Sequence, residues 1–211
     1  MRLLLIIALT LIISGLLAAE ESPVEAYLSN PGMQSHALAL DHLRAQYSSN
    51  PQELQLTLNL AYILNHEAVR LMDLASQRLD EMGPGERFGL ANMYLEMQQY
   101  EKAITIYDNI NKESPKWSCP WRHKGEALFR SGQYDLATKS LEQAIETNKE
   151  HYDAYVWQAK ALYRLGRYED AKVAMDTAFK LDPEAEDSDY DDALSEDELK
   201  NLYQDILDKL K

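Results

Sequence analysis

From Tyr100 onward, apolar residues recur every three or four positions, the spacing of one face of a helix. Tyr100, Ala103, Tyr107 and Ile110 form one such run. Tyr134, Ala137, Leu141 and Ala144 repeat it, and Tyr168, Ala171, Met175 and Ala178 repeat it again, at a constant period of 34 residues. Gly132 and Gly166 stand two positions before their tyrosines; Gln98 occupies the matching place in the first copy. Pro115 and Pro183 close two of the copies. The pattern predicts antiparallel helix pairs with a tight turn before each tyrosine. Alanines at the crossing let the axes approach, larger side chains fill the space beside them, and proline stops the second helix. One pair cannot bury its apolar face alone, so the pairs must stack.

Upstream the pattern decays. Ala39, Leu43 and Pro51 keep the second-helix spacing, as do Ala68, Met72 and Ala75. Leu56 to Leu64 reads as a helix ending in a short Asn65-His66 turn, which gives three helices over residues 33–82. Gly83-Pro84-Gly85 breaks the chain; no strand precedes it and no Gly-Lys-Ser/Thr follows, so it is no phosphate loop. At the other end Leu199, Leu202, Tyr203, Ile206 and Leu210 share one helical face, as a cap over the last pair would.

Three tandem copies at this period resemble the tetratricopeptide repeat family. The 118–151 copy carries Trp121, Gly125, Gly132, Tyr134, Ala137, Leu141 and Ala144 in that family's register. The 152–185 copy carries Tyr155, Ala159, Leu162, Gly166, Tyr168, Ala171, Met175, Ala178 and Pro183. The 84–117 copy carries Leu90, Ala91, Tyr94, Tyr100, Ala103, Tyr107 and Pro115. The resemblance implies an all-α, right-handed solenoid of stacked antiparallel helix pairs. Degenerate helical repeats over 20–83 would precede the three units, and a capping helix over 199–211 would follow an acidic loop at 186–198.

The same resemblance implies a groove lined by first helices. By register it would show Phe88, Asn92, Leu95 and Glu96 from the first full unit. Cys119, Arg122, Glu126, Phe129 and Arg130 would follow, then Asp153, Val156, Lys160, Tyr163 and Arg164. The four cations among them, with Phe88, Phe129 and Tyr163, would make a basic, aromatic trough suited to a protein or peptide with apolar anchors and carboxylates. A plainer role for the same cations is pairing with Glu96, Glu126 and Asp153. Some family members grip a C-terminal carboxylate with a set of Lys, Asn and Arg; only Asn92 matches it here, so that specificity does not carry over.

Composition narrows the partner class. The net charge of −14 repels nucleic acid. Met1-Arg2, an apolar or small stretch from Leu3 to Ala19 and terminal Ala18-Ala19 read as a secretory signal peptide over 1–19. That predicts a periplasmic or secreted scaffold, not inserted in the membrane after cleavage, with an uncleaved anchor as the alternative. Cys119 is the only cysteine, so no internal disulfide forms; a thiol-linked homodimer is the lesser alternative to a small half-buried thiol.

Residues 182–198 are mostly acidic, as in a solvated linker. Within them Asp187, Asp189, Asp191, Ser195 and Glu198 take positions 1, 3, 5, 9 and 12 of a twelve-residue loop. This resembles an EF-hand-type calcium loop, except that Asp192 stands where the family has glycine. Weak Ca²⁺ binding is the alternative function it implies; no cofactor is otherwise required. No zinc-protease, nucleophile-elbow or dinucleotide motif occurs, and the Cys119/His123 pair has no evident oxyanion partner, so an enzyme is not expected.

Overall fold

The computed structural model describes residues 33–50, 53–181 and 196–211. Nine α-helices and no strand lie among them: α1 (Met33–Ser49), α2 (Leu54–Ser76), α3 (Pro84–Glu96), α4 (Tyr100–Glu113), α5 (Ser118–Arg130), α6 (Tyr134–Thr147), α7 (Tyr152–Arg164), α8 (Tyr168–Leu181) and α9 (Glu196–Lys209). Two compact units divide the chain between Ala68 and Val69, inside α2. No described helix is long and apolar enough to cross a membrane. The apolar stretch before Ala19 lies outside the described residues.

In the first unit Ala39 and Leu43 of α1 bury against Leu56 and Ile63 of α2. The turn expected at Asn65-His66 is absent: α2 runs unbroken from Leu54 to Ser76. The span holds no Gly or Pro. Asn and His cost a helix only about 0.6 kcal/mol each relative to alanine, too little to break it.

The second unit contains three hairpins, α3–α4, α5–α6 and α7–α8, followed by α9. Ala103, Ala137 and Ala171 at the crossings have no solvent exposure, nor do Tyr107, Leu141 and Met175 four residues later. Each hairpin turns in the same way. The sixth residue's N–H reaches back to the first carbonyl: Gln99 to Tyr94 at 2.8 Å, Gln133 to Leu128 at 2.8 Å and Arg167 to Leu162 at 2.9 Å. That closure requires a left-handed residue. Gly132 and Gly166 supply it with φ of 82° and 74°, and Gln98 is forced into it at 57°. A side chain there costs about 1 kcal/mol that glycine does not.

Within this unit α4 packs on α3 and α5, and α6 on α5 and α7. Successive first helices approach each other more closely than successive second helices do. The stack therefore closes toward the side lined by α3, α5 and α7. Helix α9 ends the stack: Leu199 and Ile206 are buried with Val156, Ala159 and Leu162 of α7 and with the alanines of α8. Burying two such side chains contributes about 2–3 kcal/mol each. Tyr203 also donates to Asp176 at 2.6 Å, and Asp176 accepts from Lys172 at 2.7 Å.

Candidate functional site

The inner side of the second unit is built from α5 and α7, with α3 beyond one edge and α9 at the other. Successive turns of α5 place Arg122, Glu126 and Arg130 in a row. Arg122 donates to Glu126 at 2.8 Å and lies 3.5 Å from Asp153 of α7. Arg130 pairs with the other Glu126 oxygen at 2.6 Å. Arg122 and Glu126 are 3% and 1% exposed, so this pair is a buried ionic core under the surface. The plainer role for these cations, pairing with Glu126 and Asp153, is the arrangement found for Arg122 and Arg130.

Four of the residues assigned to the groove surface are therefore not available there. Leu95 and Val156 are core residues. Each lies on its helix's buried stripe, Leu95 one turn after Ala91 and Val156 three residues before Ala159. Arg122 and Glu126 are buried and paired with each other. Phe88 and Asn92 are half-buried. Phe88 joins an aromatic cluster with Trp117 at 4.9 Å, His123 at 5.1 Å and Tyr107 at 6.0 Å. Asn92 accepts a hydrogen bond from the Tyr107 hydroxyl at 2.6 Å. Glu96, Arg130 and Arg164 reach solvent, while Phe129, Lys160 and Tyr163 are half-buried.

His123 does not hydrogen-bond to Cys119. Its ring nitrogen lies 3.0 Å from the Arg122 guanidinium. Burial, then the charge of Arg122 and then His151, push its pKa down to about 3, so the imidazole is neutral and accepts from Arg122.

Lys160 and Arg164 sit on aromatic rings, and Arg130 adds a ring contact to its pairing with Glu126. Lys160 Nζ lies 3.6 Å from the Trp157 ring centre and 5.4 Å from that of Phe129. Arg130 lies over Trp157 at 5.6 Å, and Arg164 over Tyr134 at 4.7 Å. Such contacts hold a cation where no carboxylate is needed. Trp157 and Tyr134 were not anticipated as site residues; an i, i+3 pairing of Trp157 with Lys160 was the signal that would have found the first.

Burial lowers the Lys160 pKa to about 8; Glu126 and Glu198 oppose the shift and Arg130 and Arg122 add to it. An unfolded lysine titrates near 10.5. Between those values the unfolded chain binds more protons, so this group makes stability rise with pH there. Below about pH 8 both states hold the proton and its burial penalty is present in full. Lys160→Met should therefore melt above wild type at pH 7, with the advantage shrinking as pH rises past 8. An advantage equally large at pH 9.5, in parallel thermal melts, would contradict this.

A cavity of about 280 Å³ opens between α7 and α9. Phe129, Tyr163 and Leu202 line it with apolar surface, Lys160 and Arg164 with positive charge. Glu198, Asn201 and Asp205 of α9 face it from the other side. The apolar face of α9 predicts a cap, and the 198, 201, 205 spacing marks the polar face that also lines this cavity. Of the calcium set only Glu198 lies among the described residues; Asp187, Asp189, Asp191 and Ser195 lie outside them. Among the described residues no group of three or more His, Cys, Asp or Glu is placed to hold a metal ion.

Two tetratricopeptide repeat family models match the sequence, over residues 87–116 and 128–196. No curated protein sequence matches. Among solved structures, the TPR domain of Sgt2 from Aspergillus fumigatus is 18% identical, with 60% of this chain and 78% of that one covered at a TM-score of 0.53. The TPR2B domain of yeast Sti1, in its pHsp70 complex, is 21% identical, with 60% and 97% covered at 0.53. The second TPR domain of human RPAP3, in complex with the HSP70 peptide SGPTIEEVD, is 19% identical, with 59% and 98% covered at 0.51. The chain thus carries tetratricopeptide repeats, and the stacked hairpins of its second unit adopt the tetratricopeptide solenoid fold.

Proposed function

We propose that this protein is a non-catalytic interaction scaffold that holds a peptide or protein segment along the inner side of α3, α5 and α7. The observation that carries the reading is the set of Arg130, Lys160 and Arg164, held over the buried Trp157 ring and beside the half-buried Phe129 and Tyr134, so that positive charge and accessible aromatic edge coincide. Aromatic and Arg side chains are the groups on which binding energy concentrates. Structural neighbours of the same fold were solved in complex, the yeast Sti1 domain with pHsp70 and the human RPAP3 domain with an HSP70 peptide. The apolar stretch from Leu3 to Ala19 supports export to the periplasm or beyond as the setting.

Photo-crosslinking tests the docking face. Benzoylphenylalanine placed at Asn92 or Arg130, on the inner side, should yield a discrete adduct in an envelope extract. The same probe at Val173 or Leu136, exposed on the second helices, should not. Equal adducts from both faces would sink the reading.

A further inference from the structure

The cavity between α7 and α9 has opposite charge on its two sides. Lys160 and Arg164 project from α7 one turn apart, whereas Glu198 and Asp205 project from two turns of α9. Among the described residues Arg164 makes no ion pair; its guanidinium rests on the Tyr134 ring. Asp205 is likewise exposed and makes no ion pair among them. Phe129, Tyr163 and Leu202 add apolar lining to the same cavity. A volume of about 280 Å³ accommodates one large side chain and little more.

We infer that this cavity anchors a single aromatic or branched apolar side chain of a partner peptide whose neighbouring residues carry opposite charges. The peptide's carboxylate meets Arg164, and its cation meets Asp205, with Lys160 and Glu198 adding the field of each side. The inference rests on the inner-face docking proposed above and adds the chemistry of one anchor. A uniformly acidic segment is disfavoured because Glu198 and Asp205 repel its second carboxylate. A uniformly basic one is disfavoured by Lys160 and Arg164. Like-charge juxtaposition at a contact surface is how partners are rejected. Helix α9 thereby acts as more than a cap: its exposed polar face sets which charge pattern the last hairpin accepts.

The test uses the full chain and fluorescein-labelled Gly/Ser peptides with a central triplet, titrated by anisotropy. The triplets are Asp-Phe-Lys and its reverse, Asp-Phe-Asp, Lys-Phe-Lys and Asp-Gly-Lys. A mixed-charge phenylalanine peptide should bind roughly fivefold tighter than the like-charged or glycine versions, the range expected of exposed charge pairs. Asp205→Lys should shift the preference to Asp-Phe-Asp, and Arg164→Asp to Lys-Phe-Lys. Both residues are exposed, so the fold should survive, as unchanged helical circular dichroism would show.

The inference is overturned if no mixed-charge peptide binds below roughly 1 mM, or if either variant keeps the wild-type ranking. If peptides bind while the ranking ignores Asp205 and Arg164, the docking face stands without this anchor. If the ranking follows those residues while photo-adducts form on the second helices, the anchor stands and the docking face falls.

Discussion

Glu126→Ala should lower the unfolding free energy by about 3–5 kcal/mol, the cost of leaving a buried charge without its partner. Arg122 is 3% exposed and loses its 2.8 Å acceptor in this variant. Asp153, at 3.5 Å, is too distant to replace it fully. Arg130 loses a partner as well, but it reaches solvent and suffers less. Replacing both members of the pair, Arg122→Met with Glu126→Leu, removes the stranded charge and should recover most of the loss, because apolar pairs of similar volume often match buried ion pairs. Urea unfolding followed at 222 nm gives both numbers. A single variant within about 1 kcal/mol of wild type would mean that the pair is not buried as described.

The second large effect lies one residue earlier. A Cβ added at Gly125 would stand 2.5 Å from Leu141 Cγ and 2.7 Å from its Cδ2. Leu141 has no exposure, and its Cγ is a branch point that cannot swing clear. Gly125→Ala gains about 1 kcal/mol of helix propensity. Overpacking of this kind costs about 1–3 kcal/mol, and a clash this close belongs at the upper end. A net loss of about 1–2 kcal/mol follows from those two terms. Leu141→Ala alone should cost about 2–5 kcal/mol through the void it leaves. The double variant should be at least about 1 kcal/mol more stable than the sum of the singles, since the new methyl enters that void. Strict additivity in a double-mutant cycle would refute the contact.

The repeat core was readable because its rule is local. Tyr, Ala and a large residue at fixed helical offsets demand a hairpin wherever they recur, and all the alanine anchors are fully buried. Even the exception at Gln98 was visible as a missing glycine, and it sits at the same left-handed turn. Asn65-His66 predicts a turn where α2 continues, because weak propensity alone breaks nothing inside a long helix.

The site was half legible. Register placed Arg122, Glu126, Leu95 and Val156 on the correct helices but not at the correct depth. Depth depends on which neighbour covers a residue, and for Arg122 that neighbour is Asp153 on another hairpin. The Phe129 ring near Lys160 and the Tyr134 ring under Arg164 are likewise contacts between helices: Phe129 is on α5 and Tyr134 on α6. The polar face of α9 became part of a cavity only once Leu199 and Ile206 had fixed its rotation.

The ring contacts under Arg130, Lys160 and Arg164 bear on how weakly or tightly such a surface can hold anything. Long basic side chains ordinarily surrender about 1.5–2 kcal/mol of rotamer freedom when frozen in an association. Here part of that loss has already been incurred during folding. An incoming segment meets cations whose positions are largely set, so more of each new contact survives as net affinity. In the proposed docking, modest contact area would then suffice for a selective grip.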